Sequence, residues 1–321
     1  MCIRDSTDVS GGAKVDHIKD DDTFDGVFGV TKGLAKKYSR KRVIDTPIAE
    51  HITLSTAVGA AATGLRPIAE LMFNDFIGFG LDPILNQGAK MRYMFGGKAK
   101  IPLVVRTVHG AGASAAAQHS QSLYNMFAAI PGVKVVVPSN PYDAKGLLMS
   151  AIQEDNLVVF SEDKTLLGQK GNVPEEPYTI EIGKANVTRE GDDLTIVAIG
   201  KMVAVAEETA EKLAEDQVSV EVIDLRSVSP WDQETVLDSV KKTGRLIVID
   251  ESNPQCNIAG DVASVIGDVG FDYLDGPIKK VTAPDTPVPF AANLEAAYMP
   301  NADKVLDIAS ELIDDLKKAN A

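Results

Sequence analysis

Short apolar, β-branched runs alternating with longer helix-like segments constrain this chain more than any other feature. Leu246-Ile247-Val248-Ile249 is one such run. Apolar at every position, it suits a strand covered on both faces, and such strands belong to parallel sheets clad in helices. In the first half of the chain the pattern predicts strands over 67–72, 102–107, 134–138 and 157–161. Between them it predicts helices over 55–64, 82–94, 120–129 and 142–154. Ser139-Asn140-Pro141 supplies a cap and a first-turn proline for the last of these.

The texture then changes. Gly168, Gly171, Pro174, Pro177 and Gly191, interleaved with charge, read as a surface linker. A second α/β unit follows, with strands over 194–199, 218–224, 245–250 and 279–282. Its helices are expected over 203–215, 232–241, 258–267 and 302–317. The expected fold class is α/β with two doubly wound domains, at 1–167 and 191–321, joined by a linker at 168–190.

Composition narrows the function classes. Thirty-two basic against 46 acidic residues give a formal charge of −14, which argues against nucleic-acid binding, since that needs a basic patch. No apolar run reaches the ~18 residues that cross a bilayer, so no membrane role is expected. Two cysteines, Cys2 and Cys256, make no disulfide framework and favour a reducing compartment. Four histidines without a Cys/His cluster give no structural zinc site.

Several motifs fall short of a chemistry. Gly110-Ala111-Gly112-Ala113-Ser114-Ala115 follows a strand in the manner of a dinucleotide loop. The acidic residue needed ~20 positions on is missing, because no Asp or Glu occurs between Gly112 and Asp143. A loop permitting close approach of a ligand or another backbone fits better. Asp21, Thr23, Asp25 and Gly26 echo a calcium loop, but Lys32 stands where the twelfth-position Glu belongs. Ser120 beside His119 does not make a nucleophile–base pair, and no P-loop occurs.

Two polar islands stand out. Asp45-Thr46-Pro47-Ile48-Ala49-Glu50 delivers a carboxylate to the turn before an apolar helix. Gln118-His119-Ser120-Gln121 closes the Gly/Ala loop and is expected to open a helix. On residue chemistry alone Glu50 serves equally as a helix-dipole cap and His119 as a satisfied helix-start histidine. Phe73 and Phe76 flank Asn74-Asp75 at a strand end, where open α/β sheets bind ligands.

Seven ordered blocks give these islands a context. They include Phe28-Gly29-Val30-Thr31-Lys32-Gly33-Leu34, Arg42 to Glu50, Gly64-Leu65-Arg66-Pro67 and Tyr93-Met94-Phe95-Gly96-Gly97. Further along come Gln118 to Gln121, Pro141 to Leu147 and Asp285-Thr286-Pro287-Val288-Pro289. Over nearly its whole length the chain resembles the β subunit of thiamine-diphosphate-dependent 2-oxo acid dehydrogenases. The resemblance implies a pyrimidine-binding thiamine-diphosphate fold followed by a transketolase C-terminal-type domain.

It also implies roles. Glu50 would hydrogen-bond N1′ of the cofactor's aminopyrimidine and favour the tautomer that takes the thiazolium proton. Phe76 would pack on that ring, and His119 would manage protons during reductive acyl transfer to a lipoyl arm. In some members a potassium ion sits on backbone carbonyls at positions matching Leu103, Ala151, Glu154 and Asn156.

The family binds the diphosphate and Mg2+ through a Gly-Asp-Gly…Asn motif on a separate α subunit, and Gly-Asp-Gly is absent here. An α2β2 tetramer feeding a dihydrolipoyl acyltransferase core is therefore implied. Alternatives are a non-catalytic subunit or a single-chain transketolase-like enzyme. Pyruvate, branched-chain 2-oxo acids and acetoin are the candidate substrates. The blocks look most like acetoin dehydrogenase β subunits and the bacterial pyruvate enzymes. The expected location is the cytoplasm of a bacterium, or the mitochondrial matrix of a eukaryote. Arg4-Asp5-Ser6-Thr7-Asp8 stands where family members carry Gly-Glu-Asp or Gly-Glu-Glu. An N-terminal truncation with foreign first residues, lacking a supporting glutamate, is thus expected.

Overall fold

A computed structural model describes the backbone of residues 2–6 and 28–319, with side chains from 28 to 313. The calcium-loop echo at 21–26 lies outside the described residues. The first half of the chain contributes strands β1 (Cys2–Ser6), β2 (Val43–Asp45), β3 (Arg66–Phe73), β4 (Val104–His109), β5 (Lys134–Val136) and β6 (Val158–Asp163). With them run helices α1 (Leu34–Tyr38), α2 (Glu50–Ala62), α3 (Ile77–Asp82), α4 (Met91–Met94), α5 (Tyr124–Ala128) and α6 (Pro141–Gln153).

The second half supplies β7 (Asn186–Arg189), β8 (Leu194–Ala198), β9 (Val220–Asp224), β10 (Ser227–Ser229), β11 (Leu246–Asp250) and β12 (Lys279–Thr282). Its helices are α7 (Met202–Glu215), α8 (Gln233–Thr243), α9 (Ile258–Val269), α10 (Ala292–Tyr298) and α11 (Ala302–Ala319). None of the described helices is long and apolar enough to cross a membrane.

Two sheets result, ordered β10-β5-β6-β4-β3-β1-β2 and β12-β11-β8-β9-β7. Pairings are parallel except at one end of each sheet, where β10 and β7 run antiparallel to their neighbours. Strands β4, β8, β9 and β11 are buried at every residue, as runs apolar on both faces require. Residues 2–6, whose sequence does not read as a domain start, lie as β1 between β3 and β2. Pairing there is carried by backbone groups, which every sequence possesses.

Three sequence expectations change. The segment assigned to a linker, 168–190, contains β7, which pairs with β9 and belongs to the second sheet. The helix expected over 82–94 is broken into α3, a π-helical turn at Pro83–Gly88, and α4. Just before the π-helical turn, Gly80 has a non-helical backbone within α3 that lets this helix press on α2, where a Cβ would strike Leu54. The third change, the late start of α5, is a property of the site described below. The expected cap of α6 is present, since Asn140 Oδ1 accepts the Asp143 N–H at 2.9 Å.

One charged feature lies inside the first sheet. Arg106, 2% exposed, sits on β4 directly opposite Glu70 of β3, with Nη1 3.0 Å from the Glu70 carboxylate. Its Nε meets Glu162 of β6, so one guanidinium bridges three adjacent strands. Burial alone would push Arg106 down, but Glu162 and Glu70 outweigh it and hold the group above its ordinary value.

The two domains share more than a boundary. β10 leaves β9 and joins β5 of the first sheet. Arg226 between them adopts φ 59° and grips Asp143, at the start of α6, through Nε (3.0 Å) and Nη2 (2.7 Å). Ser139 donates to Asp224 beside it.

Candidate active site

The site forms at the carboxyl ends of β3, β4 and β6, where a parallel sheet opens into loops. β3 runs into a 3-10 turn, Asn74–Phe76, that presents Phe76 next to Phe73. β4 ends at His109 and passes into the Gly/Ala loop that leads to His119. The rings of Phe73 and Phe76 lie edge-on at 6.1 Å, and His119 meets Phe73 at 5.0 Å and Phe76 at 5.4 Å. Phe28 closes the cluster at 5.8 Å from Phe73. Two of the sequence-derived site residues, Phe76 and His119, are therefore in contact.

Glu50 is the first residue of α2, as expected, and is half-buried. Among the described residues its carboxylate has no ion-pair or hydrogen-bond partner. Its turn is stapled by Thr46 and Thr53, whose hydroxyls lie 3.0 Å apart. α2 packs against α3, which follows Phe76, and the Glu50 carbonyl lies 3.6 Å from the Cβ position of Gly80. Glu50 is thus brought to the neighbouring wall but not into contact with Phe76 or His119. Ile48 (81% exposed), Ile52 (58%) and Phe79 (71%) form an apolar rim beside it.

The island around His119 does not open a helix. Residues 120–123 are held open, and α5 begins at Tyr124. The cause is a set of buried charges that the sequence reading missed. Lys164 donates to the His119 carbonyl and, at 3.2 Å, to Ser120 Oγ. Asp75 Oδ1 accepts from the Gln121 N–H (3.2 Å) and Nε2 (2.9 Å). Ser122 donates to Glu251. With side chains and backbone so engaged, the segment has no helical register available. A signal was present in sequence: Glu162-Asp163-Lys164 and Asp250-Glu251 each follow an apolar run at a strand's carboxyl end.

Deeper, the two domains meet through a buried polar network. Lys201, from the second domain, pairs with Glu251, lies 3.2 Å from Asp163 and donates to the Ala111 carbonyl at 2.6 Å. Burial pushes the Glu251 carboxyl up to about 7, with Asp163 adding to the rise. His109 Nδ1 lies 2.8 Å from Ser161 Oγ, and Tyr124 donates to Asp250. His109, Asp163 and Glu251 have metal-ligand spacing, but the Lys201 ammonium stands between the two carboxylates.

Burial pushes the His109 imidazole down to about 4, against Asp163 and with help from Lys201 and Lys164. The unfolded imidazole protonates near 6.5, the folded one only near 4, so between these values the unfolded state binds more protons. Folding stability owed to His109 is complete above pH 6.5 and is lost as pH falls to 4, by up to about 3 kcal/mol. Asp224 and Glu251, raised to about 7 by burial, change stability in the opposite sense over overlapping pH. The wild-type curve is therefore a poor readout, and the difference against His109→Gln isolates the term. Denaturant unfolding at pH 7 and pH 4 should show the wild-type advantage over that variant shrinking by about 3 kcal/mol. A constant difference would contradict the buried neutral state.

The potassium candidates occupy the opposite, amino-terminal end of β4 and β6. The Leu103 carbonyl accepts from Val158 N–H (2.9 Å) and that of Ala151 from Glu154 N–H (3.3 Å). Arg66 donates to the carbonyl of Glu154 at 2.9 Å and to that of Ile152 at 3.0 Å. Asn156, next in line, holds Arg92 through Oδ1 at 3.1 Å.

Two domains of the transketolase class account for this architecture. A family profile for the transketolase pyrimidine-binding domain matches residues 12–170, and one for the transketolase C-terminal domain matches 183–305. The chain is 58% identical over 306 residues to the acetoin:2,6-dichlorophenolindophenol oxidoreductase subunit beta of Bacillus subtilis, covering 95% of this chain and 90% of the relative. Its Cupriavidus necator counterpart is 51% identical over 93% of this chain and 87% of its own length. The pyruvate dehydrogenase E1 component subunit beta of Rhizobium meliloti is 44% identical over 88% of this chain and 62% of its own length. A solved structure titled "split gene transketolase, inactive beta4 tetramer" shares the fold at a TM-score of 0.74 and 22% identity, covering 98% of this chain and 92% of that one. The chain belongs to the β subunits of thiamine-diphosphate-dependent 2-oxo acid and acetoin dehydrogenases, which act with an α subunit.

Proposed function

We propose that this chain is the β subunit of an acetoin dehydrogenase, and that Glu50, Phe76 and His119 are its share of a cofactor site completed by the α subunit. The observation that carries the proposal is the meeting of Phe76 and His119 at the strand ends, beside an α2 whose leading carboxylate has no partner among the described residues. The local chemistry fits an aminopyrimidine. Aromatic walls at Phe73 and Phe76 suit a flat ring, and Glu50 offers an acceptor without a partner among the described residues. Thiamine diphosphate, when bound, supplies the carbon nucleophile and the electron sink for cleavage of the substrate. Glu50 holds a proton at the pyrimidine nitrogen N1′. Phe76 orients the ring. His119, seated between Phe73 and Phe76, moves protons where the lipoyl arm accepts the acyl group.

Mg2+ and the diphosphate belong to the α subunit in this reading, since no Gly-Asp-Gly occurs here. The apolar rim of Ile48, Ile52 and Phe79 suits burial by that subunit in an α2β2 assembly. A dihydrolipoyl acyltransferase core is the acceptor of its product. Acetoin is favoured over pyruvate because the relatives at 58% and 51% identity are named for acetoin, against 44% for the pyruvate enzyme. Assaying the co-expressed αβ pair with acetoin, pyruvate and a branched-chain 2-oxo acid tests the choice, and preference for either oxo acid overturns it. Calorimetry with thiamine diphosphate and Mg2+ should show binding to the pair and none to the β chain alone. Binding to the single chain would favour a transketolase-like enzyme instead.

A potassium ion fits the corner of Leu103, Ala151, Glu154 and Asn156 in one respect. The carbonyls there that already accept one hydrogen bond keep a second lone pair for a cation. Ligand binding to the folded state alone raises thermal stability. Melting in KCl should accordingly lie a few degrees above melting in LiCl at equal ionic strength. Identical midpoints would remove the ion from the proposal.

A further inference from the structure

The Gly/Ala loop that leads to His119 is an anion cradle already filled by the protein itself. Glu295, in the first turn of α10 and 2% exposed, accepts the Gly112 N–H through Oε1 at 2.7 Å. Its Oε2 accepts the Ser114 N–H at 2.8 Å. Both bonds are charge-assisted and shielded from water, the conditions under which such bonds are strong.

Around them, Ala111 packs on Ala283, Val288 and Tyr298 of the second domain. The backbone beyond is strained. Ser114 (φ 50°) and Ala116 (φ 61°) both occupy the left-handed region, which costs a residue with a Cβ of order 1 kcal/mol or more. Such conformations persist only where the surroundings impose them. The His119 N–H then bonds to the Ala116 carbonyl at 3.3 Å, so the strained turn passes directly to His119.

We infer that Glu295 is a positioning residue: the second domain's carboxylate fixes the 110–119 loop and thereby the place of the His119 ring against Phe73 and Phe76. This rests on the reading of His119 as the group that serves acyl transfer to the lipoyl arm. The carboxylate touches no reacting atom, and it acts through the loop alone. Lys164 holds the far side of the same turn from the first domain. The His119 ring is thereby set by both domains together.

The test uses the assembled αβ enzyme and separates two electron acceptors. Lipoamide-linked turnover needs His119, whereas 2,6-dichlorophenolindophenol accepts electrons without acyl transfer to a lipoyl arm. Glu295→Ala should lower lipoamide-linked turnover by about 10-fold or more, the scale on which misplacing a catalytic group acts. Dye-linked turnover and the KM for acetoin should stay within about 2-fold. Glu295→Gln, which keeps one acceptor and loses the other, should fall between. In a His119→Ala background the Glu295→Ala change should cost less than about 2-fold further, since residues in one unit are non-additive.

Equal loss in both assays, or a full additional loss in the His119→Ala background, overturns the inference. Hydrogen exchange of the 110–123 peptide gives a readout independent of activity. Its amides should exchange about 10-fold faster or more in Glu295→Ala, and unchanged exchange refutes the clamp. If His119→Ala itself spares lipoamide-linked turnover, the proposed role of His119 is what fails, and the exchange result alone decides whether Glu295 holds the loop.

Discussion

Glu50→Gln is expected to lower turnover of the αβ enzyme by about 10²-fold or more, the range for a positioned acid–base group. The substitution keeps the shape of the side chain and its place at the head of α2. It removes only the ability to share a proton as an anion. A glutamate acting merely as a helix cap would behave otherwise, since losing its charge near a helix N-terminus costs about 0.3–1 kcal/mol of stability and leaves catalysis untouched. The absence of a partner for Glu50 among the described residues favours the first account. In the proposed role the N1′ proton is needed before either acceptor reacts, so steady-state assays with both lipoamide and dye should register the loss. Turnover like that of the wild type would remove Glu50 from the catalytic set and revive the reading of a non-catalytic subunit.

The second large effect concerns stability. Arg106→Met should destabilise the first domain by about 3–5 kcal/mol, the range for breaking a buried ion pair from one side. Methionine matches the length of the arginine stem and keeps apolar packing in β4. What it leaves behind is the problem: Glu70 and Glu162, 8% and 14% exposed at their side chains, face each other without the cation between them. The triple variant Arg106→Met, Glu70→Leu, Glu162→Leu removes all three charges and should recover much of the loss, since buried ionic groups replaced together by apolar ones are often neutral or better. Denaturant unfolding of the three proteins decides the matter. A loss below about 1 kcal/mol for Arg106→Met would show that the guanidinium was not offsetting the two carboxylates.

Much of the architecture was legible because buried parallel strands leave an unambiguous mark. Leu194 to Ala198 and Leu246 to Asp250 are nearly continuous apolar runs and became β8 and β11. The cap at Asn140 was equally plain. The strands missed, β1, β2, β7 and β10, are only three to five residues long, and each is defined by a distant partner rather than by its own pattern. The helix expected at Ser120 failed for a related reason. Its register was decided by Asp75, Lys164 and Glu251, none of which is local in sequence. Site residues divided the same way. The candidates Phe76 and His119 stand out in the sequence by motif, whereas Lys201 and Glu295 look like ordinary surface charges until folding brings them under the Gly110–Ser114 loop. The Gly110 to Ala115 stretch was read as a loop open to close approach, and what approaches it is a side chain of the same molecule.

The strand β10 has a consequence for how such a chain can be divided. Three residues of the second domain complete the first sheet, and Arg226 pins the same corner to Asp143. A fragment cut in the Gly/Pro-rich connector would leave β5 as a raw hydrogen-bonding edge, ready to recruit strands from its neighbours. It would also leave Asp143 without the Arg226 guanidinium and Asp224 without the Ser139 hydroxyl. The two halves are separate as sequence families but one unit as a folding problem, and a gene that splits this protein cleanly must cut somewhere else.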